Sequence, residues 1–348
     1  MNPDAAAKKP NTVPIGTLAN LPPVIDDLGF DGWAFMQNFG VTPNSFIRPL
    51  QPVPIALCGE ILHRAVAYTG RDELPLLLGS RARMENVGPL RLLVASSTWV
   101  REAIDALIRF RRIWYSGFQI AIATEGGVAS LAVDVSGNFV GHQAVRTTYL
   151  TAMVRHVEAI VGASWKIREL HLSCPAPADT RPYREQFGIL PAFGQLRDAV
   201  FFDARLLDMK RPAAPETELN AFLRRQLTTM EAALGSDFAE QVSDLIETLL
   251  MGGGCSVEKV ADVLGMHRQT LYRRLQEQRI TFESLLDDKR KALAEGMLLR
   301  NAMPVAEIAE ALGYSSPANF TRAFRRWNGT APSAWCRQRS APPPAAAT

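Results

Sequence analysis

The sequence predicts an α+β N-terminal domain followed by an all-α C-terminal domain, the latter made of two helix-turn-helix units joined by a linker helix. Three observations carry that expectation. The length of 348 residues suits two domains at roughly 100–200 residues each. Strand-like and helix-like patterns mix up to about residue 210, whereas only helical periodicity follows. Finally, the last third contains an internal repeat. Net charge is +3, from 38 Lys+Arg against 35 Asp+Glu, so the chain is neither a polybasic coat nor an acidic disordered protein. The average conceals an asymmetry. Residues 254–340 hold 3 Lys and 11 Arg against 9 Asp+Glu, a net +5, and the rest is faintly acidic.

Residues 1–20 read as a flexible arm without the apolar core of a signal peptide. The first domain is placed at 21–210. Its helices are expected at 55–69, 99–113 and 142–162, where Val145, Tyr149, Val154, Val157 and Ile160 recur at roughly helical spacing. Strands at 117–124 and 127–135 flank Gly126 and read as a hairpin. Further strands are expected at 167–173 and 198–203. A few strands among several helices make an α+β domain. The stretch Arg211 to Pro215 (RPAAP) is stiff and suits a boundary, so 211–236 is read as a linker with a connecting helix at 217–233. Asp237 then opens a helix, with Glu240 three residues on in capping-box spacing. Its apolar stripe is Phe238, Val242, Leu245, Ile246 and Leu249. The second domain spans 237–338, and the Ala/Pro-rich 339–348 reads as a disordered tail.

The repeat aligns Val257 to Gly265 (VEKVADVLG) with Val305 to Gly313 (VAEIAEALG), and Leu271 to Leu275 (LYRRL) with Phe320 to Phe324 (FTRAF). In the first copy Val257, Val260, Ala261 and Leu264 share one helix face. Ala261 and Ala309, mid-helix, let a second helix cross closely. Gly265 and Gly313 suit the left-handed residue that ends a helix. A second helix follows three residues later, as in a helix-turn-helix pair. That helix turns Leu271 and Leu275 inward. Gln269, Tyr272, Arg273 and Gln276 form another stripe, about 130° away at 100° per residue. Arg suits bidentate contact with guanine and Gln with adenine. In the second copy Phe320 and Phe324 are the buried side, with Ala318, Asn319, Thr321 and Arg322 on or beside the exposed one. Ser316-Pro317 supplies an N-cap and a first-turn proline. The helix between the copies, at about 283–300, spans about 27 Å at 1.5 Å per residue. Such a spacer is of the order of one DNA turn, about 34 Å.

The segment 237–337, with both repeat copies and the closing stretch Phe324 to Trp335 (FRRWNGTAPSAW), resembles the DNA-binding domain of the AraC/XylS family of bacterial transcription regulators. Upstream, Tyr183 to Gly188 (YREQFG), Pro191, Phe193-Gly194, Ala199 to Asp203 (AVFFD) and Leu206-Leu207 resemble the arabinose-binding-type N-terminal domain of one subgroup, over about 25–210. The resemblance implies base reading by Gln269, Tyr272 and Arg273 in the first unit. In the second it implies base reading by Asn319 and Arg322, while Ala318 suits only a thymine methyl. Arg268, Arg274, Ser316, Thr321, Arg325 and Arg326 are assigned to the phosphate backbone. Two positions depart from the family pattern. His267 replaces the usual Ser or Thr cap, which weakens that cap. Arg279 replaces a Gly after the first recognition helix, where left-handed geometry costs a non-Gly residue roughly 1 kcal/mol or more, leaving a different local turn open.

The resemblance implies a sequence-specific regulator, activating through RNA polymerase on double-stranded promoter DNA, with an N-terminal effector-sensing and dimerisation domain. Repression, or a helical domain acting through protein contact, are the alternatives. The effector is a small molecule of unknown identity, and a homodimer is compatible. Arg81, Arg83, His142 and Arg146 are the candidate effector contacts, favouring an anion. The connecting helix, with Leu219, Phe222, Leu223, Leu227 and Met230, is a candidate dimer or interdomain contact. No GxSxG, HExxH, GxxxxGK[ST] or GxGxxG motif occurs, and the histidines are scattered, so no enzyme activity and no cofactor are expected. The four cysteines lack metal-ligand spacing and read as free thiols in a reducing cytoplasm. No run of 18 apolar residues suggests a membrane span.

Overall fold

The structure is a computed structural model and describes residues 11–211, 217–233, 238–251, 254–264, 266–299 and 304–340. The chain divides into two compact units, 1–235 and 236–348. Among the described residues no helix is long and apolar enough to cross a membrane.

The first unit begins with strand β1 (Thr12–Pro14), followed by helices α1 (Leu21–Asp27) and α2 (Gly32–Gln37). Strand β2 (Pro52–Pro54) and helices α3 (Ile55–Thr69), α4 (Leu74–Ser80), α5 (Leu90–Ala95) and α6 (Val100–Phe110) come next. Then come the hairpin β3 (Phe118–Glu125) and β4 (Val128–Val135), the long helix α7 (His142–Val161), β5 (Glu169–His171), α8 (Arg181–Phe187), β6 (Asp198–Asp203) and α9 (Thr217–Ala233). The main sheet has the order β3-β4-β6-β5 and is antiparallel throughout. Its hairpin pairs Glu125 with Val128. Gly126 and Gly127 bridge it at φ 55° and 80°, and positive φ at both turn residues matches the right-handed twist of the strands.

Two apolar cores result. One gathers Leu131, Val133, Val200 and Phe202 from the sheet with Ile104, Leu107, Phe110, Met153 and Val157 from α6 and α7. The other gathers Val13, Leu18, Leu21, Ile25, Met36, Ile61 and Leu62 with Phe118, Val135 and Val145. α7 serves both cores. It also lies close on α4, because a Cβ at Gly79 would stand 2.5 Å from the Thr148 carbonyl oxygen.

One expectation is corrected in this unit. The arm at 1–20 is not an arm from residue 11 onward. Thr12–Pro14 pairs with Pro52–Pro54, and Val13, Ile15 and Leu18 are buried. The burial of these three apolar side chains offsets the entropy of ordering the segment; residues 1–10 lie outside the described residues. One face of the connecting helix α9 packs on the first unit. Leu227 is buried in the first core with Leu223 against it. Asn220 donates to Ser96 Oγ at 3.0 Å, and Arg109 pairs with Glu231 at 3.6 Å. Phe222 and Met230 remain exposed.

The second unit is helical: α10 (Phe238–Met251), α11 (Val257–Val263), α12 (Arg268–Glu277), α13 (Phe282–Leu299), α14 (Val305–Ala311), α15 (Pro317–Asn328) and α16 (Pro332–Ser340). Val242, Ile246, Val260, Ala261, Leu271 and Leu275 form one core. Ile308, Ala309, Leu312, Phe320, Phe324 and Trp335 form the other. α13 enters both: Phe282 belongs to the first, Ala294 and Leu298 to the second, and Leu293 packs against each. Asp237, Gly252, Gly253 and Gly265, and the side chain of Glu240, lie outside the described residues, and with them the capping-box and first-turn readings.

Candidate nucleic-acid interface and effector cavity

α11–α12 and α14–α15 are the two helix-turn-helix pairs. In each, a small residue sits at the crossing: Ala261 and Ala309 are 2% and 1% exposed. Large side chains there would push the helices apart and lose the dispersion contacts of the core. With Leu271 and Leu275 fully buried, the geometry of α12 leaves Gln269, Tyr272, Arg273 and Gln276 outward, and all four are exposed. α15 repeats the arrangement. Phe320 and Phe324 are fully buried, while Ala318 and Arg322 are exposed and Asn319 and Thr321 half-buried.

The exposed side chains are held by their neighbours. The Tyr272 hydroxyl donates to Glu283 at 3.3 Å; desolvation, followed by the charge and hydrogen bond of that carboxylate, raises its pKa. Arg273 lies 4.0 Å from Glu277 one turn on. Arg268 reaches Glu258 on α11 at 3.3 Å, and Arg274 lies over the Phe238 ring at 5.4 Å. On α15, Asn319 donates to Ser315 Oγ at 2.8 Å and accepts from Arg322. Arg326 pairs with Asp287 of α13, and Arg325 projects from an exposed position. The ion pairs among these lie at the surface and are of small intrinsic worth, so an incoming anion or polar group competes with them at little cost.

The two departures from the family pattern now have geometry. The His267 Nδ1 accepts from the Gln269 N–H at 3.4 Å, beyond the usual range for such bonds. Ser316 caps α15 from the Asn319 N–H at 3.3 Å. Arg279 adopts φ 57° and is the only non-glycine residue with positive φ among the described residues. Its N–H donates to the Gln276 carbonyl, and the Ile280 N–H to the Leu275 carbonyl. That pair of bonds is a Schellman ending. The turn is therefore kept, with Arg accepting the left-handed geometry.

The first unit contains a cavity of about 110 Å³, several times the roughly 10–15 Å³ that admits one water. It lies where the two apolar cores meet. One stripe of α7 lines it with Val145, Tyr149, Ala152 and His156, and Leu18, Ile55, Leu62, Leu107, Phe118 and Ile120 close the other sides. Arg111 lines it too; its Nε donates to the Phe118 carbonyl at 2.9 Å and its Nη2 to Gln119 Oε1 at 2.7 Å. No Asp or Glu is among the lining residues. His156 Nε2 meets the Arg83 carbonyl oxygen at 3.2 Å. Its Nδ1 is buried without a hydrogen-bond partner, and burial pushes its pKa down to about 4. Cys58 is also on the wall, with its thiol pushed up to about 12 by burial.

None of the four residues expected to contact an effector, Arg81, Arg83, His142 and Arg146, lines this cavity. Arg146 is 1% exposed but is spent on structure. Its Nε donates to Asp198 at 2.7 Å, its Nη1 lies 3.3 Å from Asp134, and Asp198 also accepts the Ser173 N–H. The network ties α7 to β4 and β6. His142 Nε2 donates to the Val135 carbonyl at 2.7 Å. Arg81 pairs with Asp27 at the surface. Arg83 touches the site only through its carbonyl, although Ala82 between these arginines does line the cavity. Sequence reasoning missed His156 and Tyr149 as a pair. The available signal was a histidine recurring at helical spacing on an otherwise apolar face.

Known proteins match along the same division. Residues 29–210 match the family model described as the arabinose-binding domain of AraC transcription regulator, N-terminal. Residues 260–338 match a helix-turn-helix domain model. The ornithine utilization regulator of Pseudomonas aeruginosa is 26% identical over 331 residues, covering 92% of this chain and 95% of that one. The HTH-type transcriptional regulator VirS of Mycobacterium tuberculosis is 25% identical over 316 residues, covering 88% and 91% respectively. Among solved structures, the transcriptional regulator CdpR from Pseudomonas aeruginosa overlays with a TM-score of 0.42 at 20% identity, over 90% of this chain and 97% of that one.

Proposed function

The chain belongs to the family of AraC-type transcription regulators, and from that premise we propose that it reads promoter DNA with α12 and α15 and takes its signal from a small molecule in the first unit. The observation that carries this reading is the doubled motif. Each of two helix-turn-helix pairs buries one side of its second helix and leaves a polar stripe exposed, and one continuous helix, α13, is packed into both cores. Gln269, Tyr272 and Arg273 are assigned to base edges from α12, and Asn319 and Arg322 from α15. Arg and Gln or Asn make bidentate pairs with guanine and adenine in the major groove. Arg268, Arg274, Ser316, Thr321, Arg325 and Arg326 are assigned to the phosphates, which position the protein without specifying sequence. Ala318 offers no hydrogen bond, so the α11–α12 pair supplies more of the specificity.

Effector binding shifts the balance between two states of the regulator by its differential affinity for them. Activation through RNA polymerase is the output we assign, and a homodimer is compatible with it.

Gel shift of the full chain on the DNA flanking its own gene tests the proposal. Arg273→Ala is expected to lose about 1–3 kcal/mol of specific binding, roughly 5- to 150-fold, and to relax the sequence preference. A variant as tight as the parent removes Arg273 from base reading. Failure of the parent to bind any flanking fragment favours a helical domain that acts through protein contact.

A further inference from the structure

The cavity in the first unit specifies part of its occupant's chemistry. A carbonyl oxygen can only accept, so the 3.2 Å contact between His156 Nε2 and the Arg83 carbonyl places the ring proton on Nε2. In a neutral imidazole the other nitrogen is then a bare acceptor. That nitrogen, Nδ1, is buried without a partner, on a residue 6% exposed that lines the cavity. A buried acceptor left unsatisfied costs free energy that a donor would return. The other constraint is charge. The wall is mostly aliphatic and aromatic, and no carboxylate lines it. A cation brought there would be desolvated without a counter-ion, which is strongly unfavourable.

Resting on the effector-sensing reading above, we propose that the cavity takes a small, mainly apolar molecule without positive charge, which donates a hydroxyl or N–H hydrogen bond to His156 Nδ1. Val145, Tyr149 and Ala152 of α7, facing Leu18, Leu62 and Phe118, hold its apolar body. An amino-acid cation such as ornithine is excluded from this site.

The test uses the full chain and three probes: 4-ethylphenol, its methyl ether 4-ethylanisole, and L-ornithine. Titration calorimetry and thermal melts read binding. The phenol is expected to bind saturably and raise Tm by a few degrees at ligand excess. The ether, which keeps the apolar body and lacks the donor, is expected to bind about tenfold more weakly. Ornithine is expected not to bind. In His156→Leu the phenol-to-ether ratio is expected to fall to near one. Ala152→Leu, which fills the cavity without touching the histidine, is expected to weaken both aromatic probes. Should His156→Leu fail to fold, the ratio on the parent and the Ala152→Leu result still decide. Equal binding of phenol and ether, tighter binding of ornithine, or no binding by either aromatic probe overturns the inference. A gel shift run with and without the phenol separates the two readings. Phenol binding without any change in DNA affinity keeps the cavity chemistry and removes the regulatory reading. A change in DNA affinity with ornithine alone does the reverse.

Discussion

Arg279 shows how one residue carries a cost that the fold absorbs. The Schellman bonds from Arg279 and Ile280 satisfy the last carbonyls of α12, and Ile280 packs against the core beneath. Together they hold Arg279 at φ 57°. Gly occupies that region without the clash of a Cβ. Arg279→Gly is therefore expected to stabilise the second unit by about 1 kcal/mol, read as a shift in its denaturant midpoint; an unchanged midpoint would show that the turn is unstrained. His156 gives a second residue-level prediction. Its pKa falls from 6.5 to about 4 on folding because burial disfavours the imidazolium. Between those values the unfolded chain binds more protons than the folded one. The contribution of His156 is thus fully present above pH 6.5 and lost as pH falls toward 4. Thermal melts over that window are expected to show a smaller acid-induced drop in Tm for His156→Gln than for the parent. Equal drops would mean that the histidine is not buried as a neutral ring.

At the scale of elements, α13 does more than space the two units. Its first turns belong to the α10–α12 core and its last turns to the α14–α16 core. Arg290 reaches from it to the Leu312 carbonyl at 3.0 Å and lies over the Tyr314 ring at 4.6 Å, and Lys289 pairs with Glu247 of α10. Removing a large buried ring from the second core is expected to be costly. Phe320→Ala should destabilise it by about 3–5 kcal/mol, seen as faster amide hydrogen exchange across α14, α15 and α16 in the full chain. Unchanged protection would place Phe320 outside the cooperative core. These helices were legible because their patterns are local. Each copy of the repeat, the spacer and the hairpin β3–β4 fits within about 20 residues and is marked by period, cap or turn glycines. α1, α2, α4 and α5 did not, because helices of six or seven residues complete fewer than two turns, and these, unlike the equally short α11 and α14, have no second copy to reveal them. The cavity was harder still. Its wall runs from Val13 to His156, and no sequence window contains it. Arg146 misled for a related reason: an arginine on an apolar helix face looks like a ligand contact until Asp134 and Asp198 arrive from distant strands.

Taken as a whole, the chain separates chemistry by unit. The stretch 254–340 carries the net +5, and arginine supplies 11 of its 14 cations, the side chain suited to bidentate contacts with bases and phosphates. The first unit carries an apolar cavity with one buried acceptor. The central claim is that one copy of this chain reads DNA with both α12 and α15. Hydroxyl-radical and methylation footprinting of the full chain on the DNA flanking its gene tests that claim most directly. Two protected major-groove patches about one helical turn apart, roughly 10–10.5 bp, are expected for each copy bound, with Arg273→Ala losing one patch and Arg322→Ala weakening the other. A single patch per copy, insensitive to Arg322→Ala, would contradict it.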